Sequence, residues 1–109
     1  ADYPFRRGVL LLRRDALTFA GDKPQVERIA CLNSGSRALK LSADEFSSQE
    51  LMLRSEPAVL QSGEEGDLVI TYTPDGDKQP SWLKLYIKGL DEPLRAREIE
   101  VRIDKKNKN

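Results

Sequence analysis

Residues 59–74 read V-L-Q-S-G-E-E-G-D-L-V-I-T-Y-T-P, and this stretch decides the fold. A polar turn at residues 62–66 is followed by strict alternation, in which Leu68, Ile70 and Tyr72 point to one side. Alternation with a period of two is typical of a strand that has one buried face and one wetter face. Pro74 then ends the run. We interpret the stretch as a turn followed by a central strand.

The rest of the chain supplies partners for this strand. Short apolar or alternating runs, separated by Gly, Pro and Asn signals, recur at intervals of about 8–12 residues. We predict strands at residues 9–13, 17–19, 25–32, 38–42, 50–54, 67–73, 81–88 and 94–103. No segment keeps a 3.6-residue period over three turns, so the pattern disfavours a parallel α/β sheet. It favours an all-β sandwich or barrel.

The length of 109 residues fits one domain, because a second core would not find enough apolar residues. Residues 1–8 are predicted to be a lead-in or linker, since Pro4 biases Tyr3 toward an extended conformation and Gly8 permits a bend. Residues 9–104 form the domain. Residues 105–109 are polar and are expected to be a disordered tail.

Two local signals refine this interpretation. Residues 43–49 are the one segment expected to form a helical turn, with Ser42 as its cap and Glu45 completing a capping box. The sequence Asn33-Ser34-Gly35-Ser36 is expected to turn because Asn tolerates, and Gly readily adopts, a left-handed backbone.

The charges exclude several classes of partner. The chain has 18 basic and 18 acidic residues, so no long-range field attracts nucleic acid or anionic lipid. We predict no nucleic-acid partner. No apolar run approaches the ~20 residues of a membrane span, so no direct span is expected. The oligomeric state is not determined by the sequence.

The chain contains no histidine. Ser-His-Asp and Cys-His catalysis both need an imidazole, and Ser34, Ser36, Ser47 and Ser48 lie in turns with no base beside them. A single cysteine also supplies neither a disulfide nor a tetrahedral zinc shell. We predict that the protein is not an enzyme and holds no cofactor and no metal.

Cys31 and two acidic clusters could in principle carry chemistry. Cys31 shares a strand face with Ile29 and is interpreted as a small core residue, since a reactive thiol needs an electropositive, accessible setting. The first acidic cluster is Glu64-Glu65 with Asp67, and the second is Asp75-Gly76-Asp77. Both could act as acid–base pairs or hold Ca²⁺, but the calcium-loop spacing is missing and solvated turn residues are the preferred interpretation.

Trp82, Lys84 and Tyr86 form the candidate contact site. They alternate with Leu83, Leu85 and Ile87, so the two rings and the ammonium share one face of a strand. A lysine flanked by rings is suited to a protein contact or to stacking on a sugar ring. Alternatively, neighbouring strands or the lead-in at residues 1–8 cover this face.

The order of the motifs resembles a known family. Tyr3-Pro4-Phe5, Val9-Leu10-Leu11 and Leu17-Thr18-Phe19 are followed by Leu32-Asn33-Ser34-Gly35, the turn at residues 62–66 and Leu68-Val69-Ile70-Thr71-Tyr72. This order is similar to that of a bacterial family of unknown function. Its domains are like the ASPM/SPD-2/hydin and major-sperm-protein (PapD-like) immunoglobulin-fold domains. The sequence departs from the family at Ser62, where proline is usual, and at Phe19-Ala20-Gly21.

The resemblance implies an immunoglobulin-like β-sandwich of seven to eight antiparallel strands. It also implies a non-catalytic interaction or structural module of an exported protein, in the periplasm or cell envelope of a Gram-negative bacterium. The partner would be another domain of the same protein or an envelope protein, with a lipid anchor possible on the parent chain. Tyr3-Pro4-Phe5 resembles the linker that opens the second of two such domains. The alternative function is a carbohydrate-binding module that uses Trp82 and Tyr86.

Overall fold

The computed structural model describes residues 2–21, 23–76 and 80–104. Within these ranges, nine strands and one 3₁₀ helix are formed. The strands are β1 (Phe5–Arg7), β2 (Leu10–Leu12), β3 (Ala16–Ala20), β4 (Gln25–Asn33), β5 (Ser42–Ala43), β6 (Leu51–Glu56), β7 (Glu65–Tyr72), β8 (Trp82–Lys88) and β9 (Glu98–Asp104). The 3₁₀ helix spans Leu94–Arg97.

Two sheets face each other as an immunoglobulin-like β-sandwich, as predicted. The first sheet has the order β1-β2-β4-β7-β6, and the second has the order β3-β9-β8-β5. The predicted central strand is β7, which pairs with β4 on one side and β6 on the other. The prediction of seven to eight strands, all antiparallel, needs two corrections. The described residues form nine strands, and β3 pairs with β9 in parallel.

The parallel pair arises because the chain changes sheets between β2 and β3. At the end of β2, the backbone N–H of Arg13 donates to Ala30 O in the first sheet at 2.9 Å. Two residues later, Asp15 O accepts from Glu100 N–H in the second sheet at 3.1 Å. One continuous segment therefore takes part in both sheets.

The buried faces follow the predicted alternation. The inward positions of β6, β7, β8 and β9 are buried, and the core also includes Leu39, Leu41 and Cys31. Val69 differs: it lies on the outer side of β7 yet is 2% exposed. Its register neighbours are Arg28 and Arg54. Long arginine stems lie along apolar surface while their charged ends stay in water, which accounts for this burial.

Four local predictions were wrong. The strand expected at residues 38–42 is not formed, because Leu39 makes only an isolated bridge with Leu60 and β5 begins at Ser42. Residues 5–7, placed in the lead-in, form β1 and pair with β2. The helical turn expected at residues 43–49 is absent, because residues 42–43 are β5 and the chain turns at Asp44, whose Oδ1 accepts from Phe46 N–H at 3.1 Å. The last predicted strand begins only at Glu98, since the 3₁₀ helix precedes it.

The turn after β4 forms as predicted but for a different reason. No residue other than glycine has a positive φ among those described, so Asn33 is not left-handed. Its buried side chain instead donates to Arg37 O at 2.8 Å and Leu60 O at 3.0 Å, and accepts from Gly35 N–H at 3.0 Å. Asn33 therefore holds the turn by side-chain hydrogen bonds.

Several predictions fall on residues outside the described ranges. These are the tail at residues 105–109, Asp77 of the second acidic cluster, and Asp22 of the turn after β3. No helix within the described ranges is long and apolar enough to cross a membrane.

Candidate functional site

The candidate site lies on the outer side of the second sheet. Trp82, Lys84 and Tyr86 point away from the core, while the intervening residues of β8 are buried. The register with β9 sets Arg102 opposite Trp82, Glu100 opposite Lys84 and Glu98 opposite Tyr86. We call these six residues the Trp82 face. Sequence analysis found the half on β8, but the register that sets the β9 half opposite it could not be inferred from local pattern.

The indole of Trp82 carries a cation on one side. The guanidinium carbon of Arg102 lies 4.6 Å from the ring centroid, within the range of a cation–π contact. Such contacts at exposed sites contribute about 0.5–1 kcal/mol. The tryptophan remains 51% exposed. Neither neighbouring strands nor the described part of the lead-in therefore covers it.

Lys84 and Glu100 place opposite charges across the strand pair but form no ion pair with each other. In the described part of the chain, neither side chain makes an ion pair or hydrogen bond. Both are exposed. Charged groups that are not paired within the molecule remain available to a partner, where they contribute to orientation and association rate.

The open edge of β8 beside this face is closed by the loop that follows β5. Backbone N–H groups of Lys84 and Tyr86 donate to the hydroxyls of Ser48 and Ser47, at 2.9 Å and 3.0 Å. In return, Ser48 N–H donates to Lys84 O at 2.8 Å. The two serines, which sequence reasoning weighed only as nucleophiles without a base, therefore satisfy the strand edge.

A nearly buried ion pair anchors this loop. Arg97 Nη1 donates to Asp44 Oδ2 at 3.0 Å, and both side chains are 13% exposed. The same guanidinium donates to the carbonyl oxygens of Ile87 and Glu92. The pKa of Asp44 is lowered, first by the hydrogen bond from Phe46 N–H and then by Arg97. Aspartate often accepts a hydrogen bond from the backbone N–H two residues later. Asp44 itself is therefore the sequence signal that could have located this turn.

The three carboxylates of the first acidic cluster do not point to a common site. Glu64 Oε1 accepts from Gln61 N–H at 2.8 Å, Glu65 accepts from the Tyr3 hydroxyl, and Asp67 faces Arg28 at 3.4 Å. The hydrogen bond to Glu65 raises the pKa of Tyr3 to about 12. No group of three potential metal ligands occurs among the described residues. Tyr3 also shows that the lead-in lies against the first sheet.

Cys31 is fully buried on β4, and burial raises the pKa of its thiol to about 11. The prediction that Cys31 is a core residue is confirmed.

A polar cleft of about 460 Å³ lies between β1, Asp15, the 3₁₀ helix and the start of β9. Arginines and carboxylates line it in equal number: Arg6, Arg7, Arg95, Asp15, Glu98 and Glu100. Arg7 is already engaged, because it donates to Glu98 O at 2.6 Å and lies 3.3 Å from Asp15. The cleft therefore presents no excess of either charge.

Comparisons with known proteins add little to this geometry. No protein-family profile matches the chain, and no curated protein is significantly similar to it. Among solved structures, it is similar to the secreted serine protease VesC from Vibrio cholerae, with a TM-score of 0.47 and 18% identity. The match covers 92% of this chain, which spans only 23% of the length of that one. A likeness this distant supports no assignment of function.

Proposed function

We propose that the protein is a non-catalytic interaction module of an exported cell-envelope protein and that the Trp82 face is its contact surface. The observation that carries this proposal is a tryptophan that stays half exposed on a regular strand while a cation lies over its ring. The whole chain also lacks histidine, so the commonest acid–base chemistry at neutral pH is missing.

The composition of the face fits a protein partner. Trp, Tyr and Arg are the side chains most enriched among the energetically dominant residues of protein interfaces. On this face they occur within one pair of strands, with Trp82 directly opposite Arg102 and Tyr86 two rungs away. Lys84 and Glu100, which have no ion-pair partner among the described residues, add one charge of each sign, which suits recognition of a mixed, polar-rimmed surface.

The partner and compartment follow from the family resemblance. The partner is proposed to be another domain of the same protein or a separate envelope protein, in the periplasm or envelope of a Gram-negative bacterium. The loop anchored by Asp44 and Arg97 satisfies the backbone edge of β8 beside the contact surface with the hydroxyls of Ser47 and Ser48.

Site-specific photo-crosslinking tests the proposal. A photoreactive amino acid at Lys84 is expected to capture a specific protein of the cell envelope in living Gram-negative cells. The same amino acid at Val26, which is exposed on the other sheet, is the matched control. The Trp82→Ala change should reduce the crosslink at position 84 at least about tenfold, as expected for a dominant interface residue. Equal capture from both positions, or capture independent of Trp82, would contradict the proposal.

Carbohydrate binding is the second candidate, favoured by the exposure of the Trp82 ring. A sugar stacks on a free ring face, and Arg102 occupies one face of this indole. The two functions therefore respond differently to Arg102→Ala. This change should leave or improve glycan binding on an array, because it frees the ring, whereas it should weaken a protein contact that uses the guanidinium. Trp82→Ala should weaken both.

A further inference from the structure

We propose that the Trp82 face binds the same face of a second copy of this chain, across a twofold axis that runs parallel to the strands between β8 and β9. The inference rests on the proposed function, because it uses the same contact surface, and it narrows the partner to a second copy. The observation that carries it is the register of β8 with β9, which sets side chains of complementary chemistry opposite one another.

The symmetry of the contact follows from the pairing of these two strands. β8 and β9 are antiparallel neighbours in the interior of the second sheet. A twofold rotation about an axis between them lays β8 of one copy over β9 of the other, and it keeps each residue at its own level along the strands. Each side chain of the Trp82 face therefore meets, on the second copy, the residue that is its cross-strand neighbour within one copy.

Three complementary contacts result, and the axis forms each of them twice. The opposed residues are Trp82 with Arg102, Lys84 with Glu100, and Tyr86 with Glu98. The first is a ring with a guanidinium, the second joins opposite charges, and the third lets a phenol hydroxyl donate to a carboxylate. The face carries two cations and two carboxylates, so two copies meet without net repulsion. Complementary charge of this kind gives an interface its orientation.

The charged groups of this face are available to a second copy. Within the described ranges, the side chains of Lys84, Glu98 and Glu100 make no hydrogen bond and no ion pair. The guanidinium of Arg102 lies over the indole and makes neither kind of bond there. All four residues are exposed. A second copy can therefore engage them without breaking an ion pair among the described residues.

The outer side of the first sheet offers no such arrangement. Its charges are already joined within the molecule, because Arg28 contacts Glu56 and Asp67, and Arg54 contacts Glu56. A partner at that surface would have to compete with these ion pairs. The contrast between the two sheets favours the Trp82 face for self-association.

The neighbours of the face permit close approach of two sheets. On β3, the side chains that lie beside Glu100 and Arg102 are the small residues Ala16 and Thr18. Sheets that pack face to face lie about 10 Å apart with interdigitated side chains. β8 and β9 are each seven residues long, so the contact is small for a specific interface. We therefore expect a reversible dimer.

Sedimentation velocity and tryptophan fluorescence test the proposal together, because Trp82 is the single tryptophan of the chain. As the concentration of the purified chain rises, a monomer–dimer equilibrium is expected. The same concentration range should show a blue shift of the emission and weaker quenching by acrylamide, since the dimer covers the indole. A chain that stays monomeric at the highest attainable concentration, or a dimer whose indole is as accessible as in the monomer, would overturn the proposal.

Matched variants locate the contact. Trp82→Ala should raise the dissociation constant of the dimer at least about tenfold, because the twofold axis applies the loss of a dominant interface residue twice. Met52→Ala is the control, since Met52 is 70% exposed but lies on the first sheet. It should leave association unchanged. Equal effects of the two variants would place the interface elsewhere and overturn the proposal.

A charge swap tests the arrangement across the axis. Lys84→Glu and Glu100→Lys should each weaken self-association, because each sets like charges opposite one another between copies. A mixture of the two variants should dimerise as well as the unmodified chain. Each variant chain still has like charges across its own strands, so only pairing between copies explains this recovery. Circular dichroism and the urea midpoint establish folding. A folded mixture that associates no better than its components would overturn the arrangement.

Photo-crosslinking separates a failure of this inference from a failure of the proposed function. A photoreactive amino acid at Lys84 should join two copies of this chain in living cells. Capture of a different envelope protein, together with a monomeric purified chain, would overturn the second copy as the partner and would retain the Trp82 face as a contact surface. The absence of any specific capture from this position would overturn both.

Discussion

Asn33 shows at the scale of one residue how the same sequence signal can have two physical meanings. Its position before Ser34 and Gly35 predicts a turn correctly, but the residue acts through its buried amide. Sequence alone could not distinguish these mechanisms, because the partners Arg37 and Leu60 approach only when the sandwich closes.

Asn33→Ala is expected to destabilise the fold by about 3 kcal/mol, since it leaves Arg37 O and Gly35 N–H without the amide and removes one of the two donors to Leu60 O, which keeps Leu39 N–H. Asn33→Asp is the informative companion. It retains an acceptor for Gly35 N–H, but it replaces the donating NH₂ group with a carboxylate oxygen that repels the carbonyl oxygens of Arg37 and Leu60. It should cost at least as much. Urea unfolding followed by the fluorescence of the single tryptophan measures both variants. A loss below about 1 kcal/mol for Ala would show that water replaces the amide.

Glu56 should make the fold sensitive to acid. Hydrogen bonds from Arg28 and then Arg54, each at 2.6 Å, lower the pKa of this carboxyl to about 2 from an ordinary value of 4.5. Because the folded pKa is lowered, the carboxylate stabilises the fold above pH 4.5, and this contribution is lost as the pH falls through about 2.

Glu56→Gln is therefore expected to lower the urea midpoint at neutral pH and to flatten its decline between pH 4.5 and about 2. Glu45→Gln is the control, since the Glu45 side chain makes no ion pair or hydrogen bond in the described part of the chain. An acid profile of Glu56→Gln that is parallel to that of the unmodified protein would show that the ion pairs contribute equally in the unfolded chain.

Cys31 should resist thiol reagents in the folded protein. The side chain is fully buried, and the raised pKa keeps the thiol protonated at neutral pH. Labelling is expected to be slow until denaturant is added and then to be complete. Rapid labelling without denaturant would mean that β4 opens locally far more often than the fold as a whole.

At the scale of elements, the predicted strands that formed are β2, β3, β4, β6, β7, β8 and β9, each with at least two buried residues. β1 was missed because it has no fully buried residue and exists only by pairing with β2. β5 is two residues long. The parallel pairing of β3 with β9 joins segments more than 80 residues apart, so no local pattern could predict it. On the Trp82 face, the residues on β8 were predicted, and their partners on β9 depend on the antiparallel register of β8 with β9.

The stretch at residues 62–66, which runs from the turn into β7, contains two glycines that the sequence could not distinguish. Gly63 has φ +77°, and an added Cβ would meet nothing within 4 Å. Gly66 does not need a positive φ, but an added Cβ would lie 2.4 Å from Glu56 O on β6. Gly63 is thus required for its conformation and Gly66 for the close approach of two strands.

Gly66→Ala is expected to cost about 1–3 kcal/mol, because the strands β6 and β7 must separate to admit the methyl group. Gly63→Asn should cost less than about 1 kcal/mol, since asparagine tolerates the left-handed region and the site is open. Thermal unfolding of both variants makes the comparison. If Gly63→Asn were the more damaging change, the turn conformation would matter more than strand contact.

At the scale of the whole molecule, the sandwich depends on contacts that cross between its sheets. The change of sheets between β2 and β3 places Phe19 in the second sheet, where it stacks on Tyr72 of the first. Their ring centroids are 5.2 Å apart, and the planes are inclined by 28°. The Tyr72 hydroxyl also donates to Gly21 O at 3.3 Å, so one side chain ties the central strand to the end of β3.

Tyr72→Ala is accordingly expected to destabilise the protein by about 3–5 kcal/mol, the range for a large aromatic truncated in a core. Tyr72→Phe separates the ring from the hydroxyl and should cost about 1 kcal/mol, because it retains the stacking on Phe19. Urea unfolding of the two variants gives both values. A cost below about 1 kcal/mol for Tyr72→Ala would mean that Tyr72 does not face the core and that the register of β7 is shifted by one residue, since a shift of one reverses every side chain of a strand.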